Sequence, residues 1–241
     1  MEKSITSVML QERDLKILEF LAKFGVANEK HLMNLVGIKE EAMSNYTRII
    51  RRLIVSGYVE KQRLIAGQYA YILLGPRGEA LLSTKRMKNL ILNTLRHDML
   101  VLDVYFDIMS KNPDYTVMSE RELRIATGLK VGDKKKVPDL LINEKIAVEV
   151  ELTEKSNARL VEIISNYVND TNLESVHYYV KSKALGYKIL ELAGNHPKFK
   201  IFLLNLNSKV LEYSLIIDEN RVTTQQPSSA NSFDLNAYLQ Q

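Results

Sequence analysis

The apolar positions early in the chain recur at helical spacing and are cut by glycines. Leu15, Ile17, Leu18, Leu21 and Phe24 share one side of a predicted helix over residues 12–24, which Gly25 ends. Asn28 predicts the cap of a second helix with Leu32, Leu35 and Val36 inward, and Gly37 predicts a tight turn. Ala42, Tyr46, Ile49, Ile50 and Leu53 predict a third helix over about residues 40–56, stopped by Gly57. The pattern then turns strand-like. Residues 58–64 and 68–74 flank Ala66-Gly67 as a hairpin, and Gly75-Pro76-Arg77-Gly78 breaks the chain before a short helix.

A long helix is predicted over 86–110, with Leu92, Leu95, Met99, Leu102, Phe106 and Met109 as its buried stripe. A strand at 115–119, a brief helix from Glu120 and a basic loop at 128–136 follow. Two apolar strands come next, Val137-Pro138-Asp139-Leu140-Leu141-Ile142 and Ile146-Ala147-Val148-Glu149-Val150-Glu151-Leu152. Side chains of a strand alternate faces, so Glu149 and Glu151 share one face while Val148, Val150 and Leu152 point into the core. A helix capped by Thr153 or Ser156 runs to about residue 170, with Leu160, Ile163, Ile164, Tyr167 and Val168 inward. Strand 175–180, helix 184–193 and strands at 199–206 and 209–217 complete the pattern. This order predicts an α/β chain, α+β overall, with a mixed sheet flanked by helices in its second half.

Three helices followed by a hairpin resemble a winged helix-turn-helix. The expected organisation is therefore a DNA-binding unit over 1–85, an α/β unit over 86–218 that includes the long connecting helix, and a polar flexible tail over 219–241. Charge agrees with it. Residues 1–97 hold 16 Lys/Arg against 9 Asp/Glu, while the remainder holds 17 against 20. A basic front half points to a polyanion partner. The third helix becomes the recognition helix, with Lys39, Ser44, Asn45, Thr47, Arg48, Arg51 and Arg52 outward and Lys61 and Arg63 on the wing. Solvated helix faces give the same pattern without any partner, and winged helices also dock proteins.

Cysteine is absent, and none of the four histidines has a partner at ligand spacing, which argues against a thiolate or zinc site. No apolar run approaches the ~18 residues of a membrane span, and the first residues lack the core of a signal peptide. A cytoplasmic protein is expected, without a membrane partner.

Two like charges side by side on a hydrophobic strand raise each other's pKa, so a cation is expected beside Glu149 and Glu151. With Pro138-Asp139 opening one strand and an acidic pair ending the next, the segment resembles the P-D…(D/E)-x-K nuclease superfamily. The resemblance implies a restriction-endonuclease-like sheet, Mg²⁺ on Asp139 and Glu149, and a catalytic set of Asp139, Glu149, Glu151 and Lys155. Glu151 stands where that family has lysine, and Lys155 would supply the cation from a shifted position, with Arg159 one turn on. Glu120 or His97 would complete the ligand set.

A narrower resemblance covers about residues 10–205. Leu95-Arg96-His97-Asp98, Ser119-Glu120-Arg121-Glu122-Leu123-Arg124, Val137-Pro138-Asp139 and Val148-Glu149-Val150-Glu151-Leu152-Thr153-Glu154-Lys155-Ser156 occur in that order after the winged helix. Together they resemble the replication-relaxation family of plasmids and other mobile elements. The family implies double-stranded DNA as partner, action in replication or DNA relaxation or its regulation, and a homodimer or other replication proteins as further partners. Two alternatives stand beside it: a Mg²⁺-dependent endonuclease or nickase, and a winged-helix transcriptional regulator. In a purely structural reading the acids pair with Lys155, Lys145 or Arg159, and the sheet only holds DNA or a second copy.

Overall fold

A computed structural model describes residues 8–64, 69–129, 133, 135–153, 155–205 and 211–216. The hairpin tip at Ala66-Gly67, residues 130–132 and 134 of the basic loop and the tail over 219–241 fall outside the described residues. The chain is an α+β fold with two sheets.

The first unit follows the predicted order. Helix α1 (Glu12–Phe24) ends at Gly25, whose φ of 85° needs glycine's freedom. Strand β1 (Val26–Asn28) comes next, and the Asn28 side chain accepts from the His31 N–H to cap α2 (Glu29–Leu35). A 3₁₀ turn at Glu40–Ala42 leads into α3 (Met43–Val55). Strands β2 (Val59–Gln62) and β3 (Tyr71–Leu74) form the hairpin; β2 is shorter at both ends than the apolar pattern predicts, and β3 starts later but ends at the predicted Leu74. The sheet order is β1-β3-β2, all antiparallel, which is the layout of a winged helix. Ile17, Leu18, Leu21, Leu32, Tyr46, Ile50, Leu53 and Ile72 are buried in its core. Helix α4 (Pro76–Leu81) begins at the proline itself, which is preorganised for a first helical position.

The long helix α5 (Leu92–Lys111) starts six residues later than predicted. Ser83 adopts a left-handed φ of 47°, and Arg86 is tied to Glu60 and Glu79, so the chain leaves α4 as a pinned, irregular segment. Leu92, expected in the buried stripe, is exposed at the helix start. The helix is apolar on two sides for a reason. Leu102, Met99, Tyr105 and Phe106 pack on the winged-helix core, while Val101, Val104 and Ile108 pack on the second sheet.

That sheet has six strands in chain order: β4 (Val117–Ser119), β5 (Leu140–Ile142), β6 (Ile146–Glu151), β7 (Ser175–Val180), β8 (Phe199–Leu204) and β9 (Tyr213–Ile216). β6, β7 and β8 are parallel; the other pairings are antiparallel. Short helix α6 (Glu120–Ala126) follows β4, capped by Ser119 with Glu122 reaching back. Helices α7 (Asn157–Asn169) and α8 (Lys183–Leu192) are the crossovers between the parallel strands. Ser156 takes the cap position of α7, although its side chain makes no capping bond. The sheet lies between α5 on one face and α7 with α8 on the other.

Candidate functional site

α3 buries Tyr46, Ile49, Ile50 and Leu53 and turns its other side outward. Ser44, Asn45, Thr47, Arg48 and Arg51 are exposed there, and Lys39 is exposed just before the 3₁₀ turn. Arg48 donates to Asn45 Oδ1 at 3.3 Å, and the Thr47 hydroxyl donates to the Met43 carbonyl. A groove of about 740 Å³ separates this side from the hairpin, lined by Met43, Thr47, Arg63, Tyr69 and Tyr71 among others.

Two of the predicted contacts are otherwise engaged. The Arg52 guanidinium pairs with Asp14 of α1, whose side chain is wholly buried. A buried carboxylate draws the nearest guanidinium inward, so Arg52 ties α3 to α1 and does not join the outward set. Lys61 is held 2.6 Å from Glu29, which also accepts from the Ala70 N–H, so its charge is offset within the groove. Arg63 remains exposed.

The acids form the second candidate. The register places Leu140 opposite Val148, which brings Asp139, just ahead of β5, beside Glu149. Asp139, Glu149 and Glu151 are all buried. The predicted alternation is present, but both faces of β6 are covered: Val148 and Val150 face the α5 side, while Tyr167 of α7 covers the acid face. Leu152 is only half-buried.

Each acid has protein donors. Asp139 Oδ2 accepts from the Val150 N–H at 2.8 Å and from His97 Nε2 at 3.2 Å. Glu149 accepts from the Tyr167 hydroxyl, and Lys136 Nζ lies 2.9 Å from its other oxygen and 4.0 Å from Asp139 Oδ1. Lys155, just ahead of α7, pairs with Glu151 at the end of β6. The expected cation is therefore two lysines. Lys145 is elsewhere, with Glu174, and Arg159 is exposed. The Glu120 carboxylate turns to Arg124 at 2.9 Å, while its N–H donates to the Asp139 carbonyl.

Proton affinities follow these contacts. Burial and the neighbouring Asp139 charge push Glu149 up to about 7, against the pull of Lys136 and Tyr167. Burial acts to raise Asp139 as well, but His97, Lys136 and the Val150 N–H outweigh it and hold it below the usual carboxylate range. Burial works against charge on His97 too, yet its bonds to Asp139 and Asp98 raise it to about 10, so it is a cation at neutral pH. Burial and the charge of Lys136 depress Lys155 despite its contact with Glu151.

Sequence reasoning placed Asp139, Glu149, Glu151 and Lys155 together, and the structure brings them together. It left Lys136 within the basic loop at 128–136 and counted Tyr167 only as an inward residue of its helix. His97, which the nuclease resemblance offers as a further ligand, meets the Asp139 carboxylate as a hydrogen-bond partner.

Mg²⁺, which the nuclease resemblance implies, does not fit these side chains as they stand. Magnesium takes octahedral oxygen ligands at about 2.0–2.1 Å. Here the Lys136 ammonium lies between the two carboxylates, and the inner oxygens already accept from N–H and O–H donors. Among the described residues no group of three His, Cys, Asp or Glu is placed to hold a metal. Among them, too, no helix is long and apolar enough to cross a membrane.

No family model matches the sequence, and no curated protein does. Among solved structures, the crystal structure of NadR in complex with 4-hydroxyphenylacetate is similar, with 18% identity over 49% of this chain and 70% of that one. The TM-score is 0.27, a likeness too loose to carry an argument.

Proposed function

We propose that this chain binds double-stranded DNA, reading the duplex with α3. The observation that carries the reading is the exposed side of α3, where Ser44, Asn45, Arg48 and Arg51 stand together opposite a fully buried stripe. Arginine and asparagine make the bidentate contacts that distinguish bases in a major groove, and arginine also neutralises phosphate. A helix of this length, about 20 Å at 1.5 Å per residue, suits that groove.

We further propose that the chain is of the replication-relaxation type and acts in the replication or the topology of a plasmid or other mobile element, or in their regulation. Four sequence segments that suggest the family meet around Asp139. His97 donates to its carboxylate, the Glu120 N–H to its carbonyl and the Val150 N–H to its carboxylate, while Lys155 closes on Glu151 beside it. In this reading the sheet holds and orients DNA-bound protein, and its acids are held by lysines.

The test is selection of bound sequences from random duplexes, followed by salt titration of the best site. A selected motif with a steep salt dependence is expected, and Arg48→Ala and Arg51→Ala each reduce the slope by about one unit. Inverted half-sites would support a dimer. No binding above that of a neutral control, or an unchanged slope in the double variant, rejects α3 as the reader. Mg²⁺-dependent nicking of supercoiled plasmid, lost in Glu149→Ala, would move the function into the sheet.

A further inference from the structure

We infer that the ammonium of Lys136 is the resident cation of the acid cluster and takes the place of the divalent ion that the nuclease resemblance implies on Asp139 and Glu149. This goes beyond the DNA reading and does not depend on it.

Geometry is the first support. Lys136 Nζ is 2.9 Å from Glu149 Oε2 and 4.0 Å from Asp139 Oδ1, so it sits where one cation would bridge both carboxylates. The site is buried, and its two acids face each other across neighbouring strands. Two uncompensated charges in such a place are costly, so a cation belongs to the folded state. An ammonium and a dication cannot share the same oxygens, because they repel at contact distance. The lysine is covalently attached and present at all times, whereas the ion must first shed tightly held water.

Tyr178 is the second, independent support. It stands opposite Glu149 on the neighbouring strand β7, and paired residues of parallel strands face the same side. Its hydroxyl is buried and has no hydrogen-bond partner among the described residues. Both Glu149 and Asp139 act on it electrostatically. A buried hydroxyl without a partner is uncommon and unfavourable. A cation that keeps part of its hydration shell would bring a water to that hydroxyl, which a lysine does not.

Lys155 does not serve in the same way. It is paired with Glu151, four residues away, and its contact leaves Asp139 and Glu149 to Lys136. The pattern is one lysine for each part of the acid trio, so the cluster is balanced without any ion from solution.

The test uses the full chain and Mn²⁺ alone, followed by electron paramagnetic resonance and calorimetry, with no DNA present. The wild-type protein is expected to show no saturable uptake up to about 1 mM, the weak end of oxygen-ligand sites. Lys136→Met is expected to bind one equivalent at least about ten-fold more tightly, and Mn²⁺ should raise its unfolding temperature. Adding Asp139→Asn should abolish both effects. Where Lys136→Met fails to fold, Lys136→Gln takes its place, since an amide still donates to Glu149 but carries no charge. Saturable wild-type binding that Asp139→Asn removes would overturn the inference, because the ion would then displace the lysine. A folded lysine variant with no gain in binding would overturn it as well. Loss of DNA binding in the α3 variants touches neither outcome.

Discussion

Replacing Arg52 by methionine is expected to destabilise the fold without changing how it holds DNA. The Asp14 side chain is 0% exposed, and that of Arg52 is 30% exposed. Asp14 Oδ2 accepts from the Gln11 N–H at 2.8 Å, one half of a capping box at the start of α1, and meets the Arg52 guanidinium. Its Oδ1 has no hydrogen-bond partner among the described residues, with the Arg13 guanidinium 3.9 Å away. Methionine preserves most of the apolar stem, so the change removes the charge and the fork. Stranding a buried charge costs about 3–5 kcal/mol. Arg52 is partly exposed and the cap bond survives, so the lower end, about 3 kcal/mol, is expected. For a chain of this size that corresponds to a midpoint lowered by roughly 6–12 °C. Asp14→Asn in the same background keeps an acceptor for Gln11 and removes the stranded charge, so the double variant should regain about half of the loss. Urea unfolding followed by circular dichroism measures all four members of the cycle. A single variant within about 0.5 kcal/mol of wild type refutes the reasoning. So does a salt slope for DNA that falls by about one unit, which would return Arg52 to the phosphate contacts.

Gly75→Ala is expected to lower the urea midpoint by roughly 1–3 kcal/mol equivalent, because its Cβ would lie 2.4 Å from the Gly57 carbonyl oxygen, a rigid backbone atom. His177 titrates in the opposite sense to His97: burial, with Lys200 beside it, pushes it down to about 3. The unfolded chain therefore takes up a proton below about pH 6.5 that the native state refuses, so stability falls as pH drops from about 6.5 toward 3. The contribution is up to about 1.4 kcal/mol per pH unit, and it should vanish from the pH–stability curve of His177→Phe, whose ring keeps the contact with Phe202. Parallel curves for the two proteins would show that His177 is not held neutral.

Local pattern carried much of this fold. Helix α1 matches the predicted span, Asn28 caps α2 as its side chain predicts, and strand β7 covers the predicted residues. The meeting of Asp139 with Glu149 was legible because two short strands in succession pair antiparallel and bring the start of one beside the end of the next. What stayed hidden depends on partners far away in sequence. Val26, Ala27 and Asn28 form a strand only because Leu73, Ile72 and Tyr71 pair with them. Asp14 looks like an ordinary first-turn acid until Arg52 arrives from α3. A lysine-rich loop reads as solvated, and nothing local distinguishes Lys136 from Lys135; only the fold carries one of them to Glu149.

Helix α5 shows why the two halves act as one object. A helix with one apolar stripe would connect them loosely, as a linker does. Here Tyr105 and Phe106 join Phe20 and Phe24 of α1 in an aromatic set with centroids 4.8–5.8 Å apart. Val104, on another side of the same helix, is fully buried against the sheet. His31 of α2 meets Asp103 at 3.0 Å, and the Ser119 hydroxyl donates to the Lys23 carbonyl at 2.7 Å. Swinging the winged helix away would expose these rings and strand these polar groups together, a change well beyond thermal energy. His97, near the start of α5, reaches Asp139, so the helix that supports the winged-helix unit also carries a donor of the acid cluster. Any shift of the winged-helix unit must therefore be borne by α5, and its first polar casualty at the sheet would be the contact between His97 and Asp139.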